Sequence, residues 1–279
     1  MKQRLAKIDL TIDPFYTVGL LTHFIGDQFK KKGFTDAILG LSGGVDSALG
    51  AALLATALGP DHVTGLGMPA AESDPASLKD AREVAAAFGI RFVVQPIAPF
   101  MRSFLSGRQK VSHVRIGNIA ARVRMMVLFD YSHAHNALVI GTSNKTELLL
   151  GYGTWFGDLA CSINPLGDLY KTQVRQLADF IGVPQAVIAK APTADLWRGQ
   201  TDESELGFTY NEVDRLLYLM VDLNYSEDAL RDLGFAKAFI SKVRDRIIAS
   251  QFKRSLPTIP KISAKTVGTD FHLSRDWGT

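Results

Sequence analysis

The sequence of 279 residues predicts an α/β protein with a central parallel sheet and a helical C-terminal part. Two observations support this prediction. Short apolar runs alternate with helical patterns up to about residue 184, and mostly helical patterns follow. Apolar strands that alternate with helices form parallel sheets covered on both faces. We expect a single domain over residues 1–279, with a core at about 20–195 and a helical part with a tail at about 196–279.

The elements follow from the order of these patterns. Apolar segments that lead into turns predict strands, and segments of helical character between and after them predict helices. Polar stretches without a clear period predict connections. The predicted strand-and-turn units lie at 37–42, 62–70, 91–99 and 137–147, the helices at 47–58, 77–89, 211–222 and 236–250, and the connections at 101–117 and 192–208. Ligands of such sheets bind beyond the carboxyl ends of the strands, so the turns after Leu41 and Ile140 should face one crevice.

Composition narrows the class of protein. The chain is 47% hydrophobic and 21% charged, which is ordinary for a globular protein, and its net charge of +3 argues against a nucleic-acid partner. Cys161 is the single cysteine, which excludes an internal disulfide. The first residues carry no signal-peptide pattern, and no apolar run has the length of a membrane span. We therefore expect a cytoplasmic protein without a membrane partner.

The segment GLSGGVDS predicts a phosphate site, because it joins a strand to the N-terminus of an apolar helix through a glycine-rich turn. Free backbone N–H groups and the helix dipole both favour an anion there. A Walker A loop is excluded because no lysine follows the glycines, and the turn lacks the G-x-G-x-x-G pattern of dinucleotide folds. The candidate ligands of ATP in this segment are Gly40, Leu41, Ser42, Gly43, Gly44, Val45, Asp46 and Ser47.

The SGGVDS turn resembles the pyrophosphatase loop of enzymes that split ATP into AMP and pyrophosphate. Further segments from residue 38 to residue 253 resemble NAD synthetase, in that family's order. They are GNIAARVRMM from Gly117, GTSNKTELLLGY from Gly141, GDLYKTQV from Gly167, PTADL from Pro192 and TDESELGF from Thr201. The resemblance implies a Rossmann-like three-layer fold and the ammonia-dependent form of the enzyme. Such an enzyme adenylates the carboxylate of nicotinic acid adenine dinucleotide with ATP and Mg²⁺, and ammonia then displaces AMP.

The resemblance also implies residue roles. Asp46 and Glu147 would hold Mg²⁺, and Asp46 and Lys171 would be catalytic. Thr142, Lys171 and Thr193 would contact ATP, and Arg122 and Lys253 would contact the dinucleotide. It further implies a homodimer that binds the dinucleotide at its interface. A glutaminase within this chain is not expected, whereas a separate glutaminase subunit is compatible with the sequence.

Three positions depart from the family pattern, and each is a position that serves the dinucleotide rather than ATP. Trp155 replaces a lysine, Ser162 stands where an aspartate is common, and Phe252 replaces a histidine. We expect Trp155 to stack on a ring of the substrate. Three functions remain open: NAD synthesis, adenylation of another carboxylate or of a nucleotide or tRNA base by a related enzyme, and nucleotide binding without catalysis.

Overall fold

A parallel four-stranded sheet forms the centre of the computed structural model, which describes residues 8–193 and 201–271. The strand order is β3-β2-β1-β4, so β1 lies between β2 and β4. The strands are β1 (Asp36–Gly40), β2 (Val63–Gly67), β3 (Arg91–Val94) and β4 (Ala137–Ile140). All four predicted strands are present, and the predicted parallel sheet is confirmed.

Twelve α-helices surround and extend this sheet within the described residues. They are α1 (Pro14–Lys32), α2 (Val45–Leu58), α3 (Pro75–Ala87), α4 (Ala98–Leu105), α5 (His113–His135), α6 (Lys145–Leu150), α7 (Lys171–Ile181), α8 (Gln185–Ala189), α9 (Asp202–Leu206), α10 (Tyr210–Leu217), α11 (Glu227–Asp232) and α12 (Lys237–Ala249). Short 3₁₀ turns occupy Pro60–His62 and Gln251–Arg254.

Both faces of the sheet are covered, as the sequence predicts. Successive residues of a strand point to opposite faces, and Ile38 and Leu39 belong to two different buried clusters. The Leu39 side packs against α1, α2 and α7, and the Ile38 side packs against α4 and α5. The first cluster explains why α2 is apolar almost throughout, since buried side chains surround it.

A third buried cluster belongs mainly to the helical C-terminal part. It includes Val213, Leu217 and Ile240, together with Leu150 and Tyr170 from the segments that follow β4. The C-terminal helices therefore pack on the same segments that lead out of the sheet at its carboxyl edge. Residues 255–271 are largely exposed and irregular.

Three local predictions are wrong. The predicted connection at 101–117 contains the end of α4 and the start of α5, where Ser112 caps the N–H of Arg115. The predicted loop at 192–208 contains α9, whereas residues 194–200 lie outside the described part. The predicted helix 211–222 ends at Leu217 and continues as a π-helical turn, which shifts the helical register and leaves Val221 36% exposed.

In the stretches 8–193 and 201–271, none of the helices combines the length and the hydrophobicity that crossing a bilayer would require.

Candidate active site

The loop between β1 and α2 approaches the rest of the protein very closely. Gly43 has a φ of +80°, and a Cβ atom on it would lie 2.3 Å from the backbone oxygen of Ser77. Both facts require glycine at this position. The hydroxyl of Ser42 accepts from the N–H of Gly44 at 3.2 Å, and the hydroxyl of Ser47 accepts from the N–H of Ser42 at 3.2 Å. The serines thus fix the shape of the loop.

Two carboxylates and one ammonium group meet beyond the carboxyl ends of β1 and β4. The Nζ of Lys171 donates to Asp46 Oδ2 at 2.6 Å and to Glu147 Oε1 at 2.9 Å. The Lys171 side chain is 3% exposed. The sequence predicts that the loops after β1 and β4 face one crevice, and this contact between Asp46 and Glu147 through Lys171 places them there.

Asn144 is a site residue that the sequence reasoning did not single out. Its amide nitrogen donates to Asp46 Oδ1 at 2.8 Å, and its oxygen accepts from the N–H of Glu147 at 3.0 Å. Glu147 in turn accepts from the N–H of Asn144, which completes a capping box at the start of α6. The signal was visible in the sequence NKTE, because an asparagine three residues before a glutamate is typical of such a helix start.

Burial and charge set the proton affinities of Glu147 and Lys171, which form a triad with Asp46. Burial raises the pKa of Glu147 to about 7, and the negative charge of Asp46 raises it as well, against the opposing effect of Lys171. For Lys171, burial favours the neutral amine, but the attraction of Asp46 and Glu147 outweighs it and raises the pKa. The ammonium group therefore stays charged, and above the pKa of Glu147 the triad carries one negative charge more than it has positive charges.

The triad lines a cavity of about 500 Å³ that extends across the carboxyl edge of the sheet. All of the predicted ATP residues except Gly43 line it: Gly40, Leu41, Ser42, Gly44, Val45, Asp46, Ser47, Thr142, Lys171 and Thr193. The predicted metal ligand Glu147 and the predicted dinucleotide residue Lys253 line it as well. Gly43, the remaining residue of the loop, packs against the backbone of Ser77. The cavity is large enough for a nucleotide-sized ligand.

Three further basic residues line the cavity, and the sequence did not single them out. Arg124 lines the cavity and donates to the backbone oxygen of Met68 at 3.1 Å. Arg246 on α12 and Lys190 after α8 also line it. No single motif contains these residues, since they come from separate helices that only the fold brings together.

An acidic cluster lies on a further side of the cavity. The hydroxyl of Tyr152 lies 3.0 Å from a carboxylate oxygen of Asp202 and 3.0 Å from one of Glu205. Tyr210 also donates to Asp202, at 2.9 Å. Burial raises the pKa of Asp202, partly against the effect of Lys171. The two carboxylates are thus bordered by the hydroxyls of Tyr152 and Tyr210.

The predicted dinucleotide residues form a second group beside the cavity. Arg122 donates to the backbone oxygen of Trp155 at 3.3 Å. The Trp155 ring stacks on Phe156 with centroids 4.2 Å apart and meets Phe252 edge-on at 5.4 Å. Two of the positions that depart from the family pattern, Trp155 and Phe252, are therefore in contact. Ser162 is exposed, and its N–H donates to the backbone oxygen of Val139.

The end of α12 and the turn after it hold the segment that follows α6. Lys253 donates to the backbone oxygens of Gly151 and Gly153, both at 2.7 Å. Arg254 donates to the backbone oxygens of Leu148 and Leu149 at 2.9 and 3.0 Å. These last carbonyls of α6 have no partner within the helix. The basic turn thus fixes the C-terminal end of the helix that carries Glu147.

The SGGVDS loop at a helix start, on the carboxyl edge of a parallel sheet, is typical of nucleotide-binding α/β proteins. The comparisons with known proteins are more specific. The family model for NAD synthase matches residues 17–257. The chain belongs to the NAD synthase family.

Similar proteins include both curated relatives and solved structures. The NH₃-dependent NAD⁺ synthetase of Trichlorobacter lovleyi is 52% identical over 259 residues, which cover 93% of this chain and 95% of the relative. The NH₃-dependent NAD synthetase of Campylobacter jejuni has a TM-score of 0.77 at 35% identity, and NMN synthetase of Francisella tularensis has 0.79 at 34%. Each match covers 90% of this chain and 100% of the other.

The raised pKa of Glu147 predicts how stability depends on pH. Its pKa of about 7 exceeds the ordinary value of 4.5, so the folded state holds this proton more tightly. The stabilisation is complete below the unfolded pKa and is lost as the pH rises through the folded pKa. Without divalent metal, the free energy of unfolding should therefore contain a contribution that falls between about pH 5 and pH 8.

Urea unfolding at several pH values tests this for the unmodified protein and for Glu147→Gln. The difference between the two isolates Glu147 from other buried carboxyl groups. Glu83→Gln is a suitable control, since Glu83 is an exposed carboxyl on α3. The same pH slope in Glu147→Gln as in the unmodified protein would contradict the assignment.

Proposed function

We propose that this protein amidates the carboxylate of nicotinic acid adenine dinucleotide with ATP and ammonia, which yields NAD, AMP and pyrophosphate. The observation that carries the proposal is the Asp46–Lys171–Glu147 triad at the pyrophosphatase loop. A carboxylate is a poor electrophile, so amidation needs a leaving group. Transfer of AMP from ATP supplies one, and ammonia then attacks the acyl carbon of the adenylate and releases AMP.

The loop and Lys171 would act on the triphosphate. The N–H groups at the start of α2 and the dipole of that helix favour the phosphate anions. Lys171 would stabilise the negative charge on the departing pyrophosphate, since preorganised charge in a buried site is usually the largest contribution to catalysis. Thr142 and Thr193 line the same cavity and would contact the nucleotide.

Asp46 and Glu147 fit a Mg²⁺ site. Both contact the ammonium group of Lys171 within 2.9 Å, and above the pKa of Glu147 the triad carries one negative charge in excess. Among the described residues, no cluster of three or more His, Cys, Asp or Glu has the geometry to hold a metal. Two carboxylates with phosphate oxygens are a usual arrangement for Mg²⁺, which retains waters as well. When bound, the ion would supply positive charge to the phosphates.

Asp202 and Glu205 would serve the nitrogen source. Ammonia is mainly ammonium at neutral pH, and a cation with several N–H donors suits the two carboxylates that line this part of the cavity. Ammonium must lose a proton before it attacks, and a carboxylate whose pKa is raised accepts that proton more readily. This part of the cavity therefore supports free ammonia as the nucleophile.

The aromatic contact of Trp155 with Phe156 and Phe252 supports stacking on a ring of the substrate. Phe156 and Phe252 are about half exposed, so the cluster offers flat apolar surface beside the cavity. Phe156 holds a φ of +56°, which is costly for a residue with a side chain. The Francisella tularensis neighbour is an NMN synthetase, so a mononucleotide is a second candidate substrate. Stacking of the Trp155 cluster on the second nucleotide would favour the dinucleotide.

A homodimer would complete the substrate site. Arg122, Met126 and Phe129 occur at i, i+4 and i+7 on α5, so they share one exposed face of this helix. Phe100 and Phe104 on the neighbouring α4 are exposed as well. An apolar face that includes a candidate substrate residue suits an interface at which the dinucleotide binds.

Loss of either carboxylate of the triad should abolish most turnover without unfolding the protein. We expect Asp46→Asn and Glu147→Gln each to reduce pyrophosphate release by about 100-fold or more, since both remove charge that acts on the phosphates. Rates at increasing Mg²⁺ and circular dichroism check the two parts of this prediction. Glu83→Gln is the control. Normal rates in either variant at limiting Mg²⁺ would remove that residue from the metal site.

Removal of the Trp155 ring should weaken the binding of nicotinic acid adenine dinucleotide but not the binding of ATP. Trp155→Ala is expected to raise the KM for nicotinic acid adenine dinucleotide by about tenfold, the value of a stacking contact of about 1.4 kcal/mol. The KM for ATP should change little. Tyr225→Ala, which removes an exposed ring in the C-terminal part, is the control. Equal shifts for both substrates would assign Trp155 to packing, and preference for the mononucleotide would overturn the substrate proposal.

The exposed face of α5 that contains Met126 and Phe129 should form the interface of a homodimer. Light scattering at micromolar concentration should give twice the mass of 30.5 kDa. The double substitution Met126→Lys, Phe129→Lys should yield monomers with a raised KM for the acid dinucleotide, because it places charge in an apolar interface. Val221→Lys is an exposed apolar control in the C-terminal part. A fully active monomer of the unmodified protein would refute the dimer.

A further inference from the structure

A wholly buried carboxylate lies behind the active site, and the mechanism above does not use it. Asp214 on α10 has 0% of its surface exposed. Its Oδ1 accepts from the hydroxyl of Thr146 at 2.6 Å, and its Oδ2 accepts from the backbone N–H of Thr172 at 2.8 Å. The Thr146 hydroxyl oxygen also accepts from the backbone N–H of Lys171, at 3.0 Å. One carboxylate thus connects three helices.

These partners are the sequence neighbours of two members of the triad. Thr146 precedes Glu147 on α6, and Thr172 follows Lys171 on α7. The 2.9 Å contact between the Lys171 and Glu147 side chains therefore depends on how α6 and α7 are placed relative to each other. Asp214 bonds to both helices at the points where these two side chains begin.

The hydrogen bonds to α7 also provide acceptors for the first backbone N–H groups of that helix. The first N–H groups of a helix have no partner within the helix, and Lys171 and Thr172 are the first two residues of α7. Thr146 accepts from one of these groups and Asp214 from the other. The positive end of the helix dipole further favours a carboxylate at this position.

Packing alone would not select a carboxylate here. Val213, Leu216 and Leu217 on the same helix are each 0% exposed and belong to the third buried cluster. Burial raises the pKa of Asp214, and the hydrogen bonds from Thr146 and Thr172 oppose that rise. Charged groups are costly to bury, and apolar replacements of similar volume often stabilise a protein equally well or better. A role in placing α6 and α7 accounts for the retained charge.

We propose that Asp214 is a positioning residue that sets the separation of Lys171 and Glu147 and thereby couples the C-terminal helical part to the phosphate site. This inference rests on the proposed amidation reaction. An amide in place of the carboxylate has one acceptor oxygen and one NH₂ group, so Asp214→Asn keeps the bond from the Thr172 N–H only if the Thr146 hydroxyl reverses and accepts from the amide. The Thr146 oxygen already accepts from the N–H of Lys171, and the charge-assisted bond is lost, so the placement of α6 relative to α7 is weakened.

The central test compares kcat and KM in Asp214→Asn. We expect kcat per folded molecule to fall by about 100-fold, since displacement of a catalytic group by about 1 Å costs about that much. The KM for ATP should change little, because Asp214 bonds to α6 and α7 and not to the loop between β1 and α2 that would bind the phosphates. Val213→Ala is the matched control: it removes buried atoms from the same helix, so it should lower Tm while kcat per folded molecule stays unchanged.

Substitution of Thr146 provides a second test of the same hydrogen bonds. Thr146→Val removes the hydroxyl at nearly constant shape and should reproduce the loss in kcat, whereas Thr146→Ser should retain activity. The double variant Asp214→Asn, Thr146→Val should be little slower than either single variant, because both break one network. If Asp214→Asn does not fold, Thr146→Val decides the question, and an unchanged kcat in that variant overturns the proposal.

Amide hydrogen exchange separates this proposal from the proposed reaction, because it needs no turnover. In Asp214→Asn, the N–H groups of Lys171 and Thr172 should lose protection while the core strands keep theirs. Val213→Ala should show no such local loss. Unchanged protection at both groups, or a kcat per folded molecule equal to that of Val213→Ala, overturns the positioning role. Failure of the unmodified protein to amidate either the acid dinucleotide or the acid mononucleotide would instead reject the proposed amidation reaction.

Discussion

The contact of one buried ammonium group with two carboxylates is the constraint on which the rest of the active site depends. Lys171, Asp46 and Glu147 come from three helices, each of which begins at the carboxyl edge of the sheet. Burying these charges is favourable only when each has a partner at close range. The sheet order places β1 beside β4, and this adjacency brings two of the three helix starts together.

The supporting interactions have the common effect of fixing helix ends. Asn144 joins Asp46 to the start of α6, Asp214 joins α6 to α7, and Arg254 satisfies the last carbonyls of α6. A helix of six residues has few hydrogen bonds of its own. Its position, and with it that of Glu147, is therefore determined by side chains from distant parts of the chain.

The sequence alone predicted the strands, the phosphate loop and the family, because each is encoded locally. Alternation of apolar runs with helices indicated the parallel sheet, and SGGVDS lies within a single turn. It did not indicate Asn144, Asp214 or Arg124, whose roles come from contacts across the fold. Asp214 lies 68 residues from Thr146 in the chain. The end of α10 at Leu217 was missed for a related reason, since the apolar pattern continues through the π-helical turn.

The unequal charges of the triad have a consequence for product release. Lys171 is paired with two carboxylates, so above the pKa of Glu147 a phosphate group that arrives without a metal ion would meet a net negative site. On the proposed function, free pyrophosphate would therefore be a poor ligand. A divalent cation held by Asp46 and Glu147 would supply the positive charge that a nucleotide needs there. The same arrangement of charges would thus limit inhibition by the product.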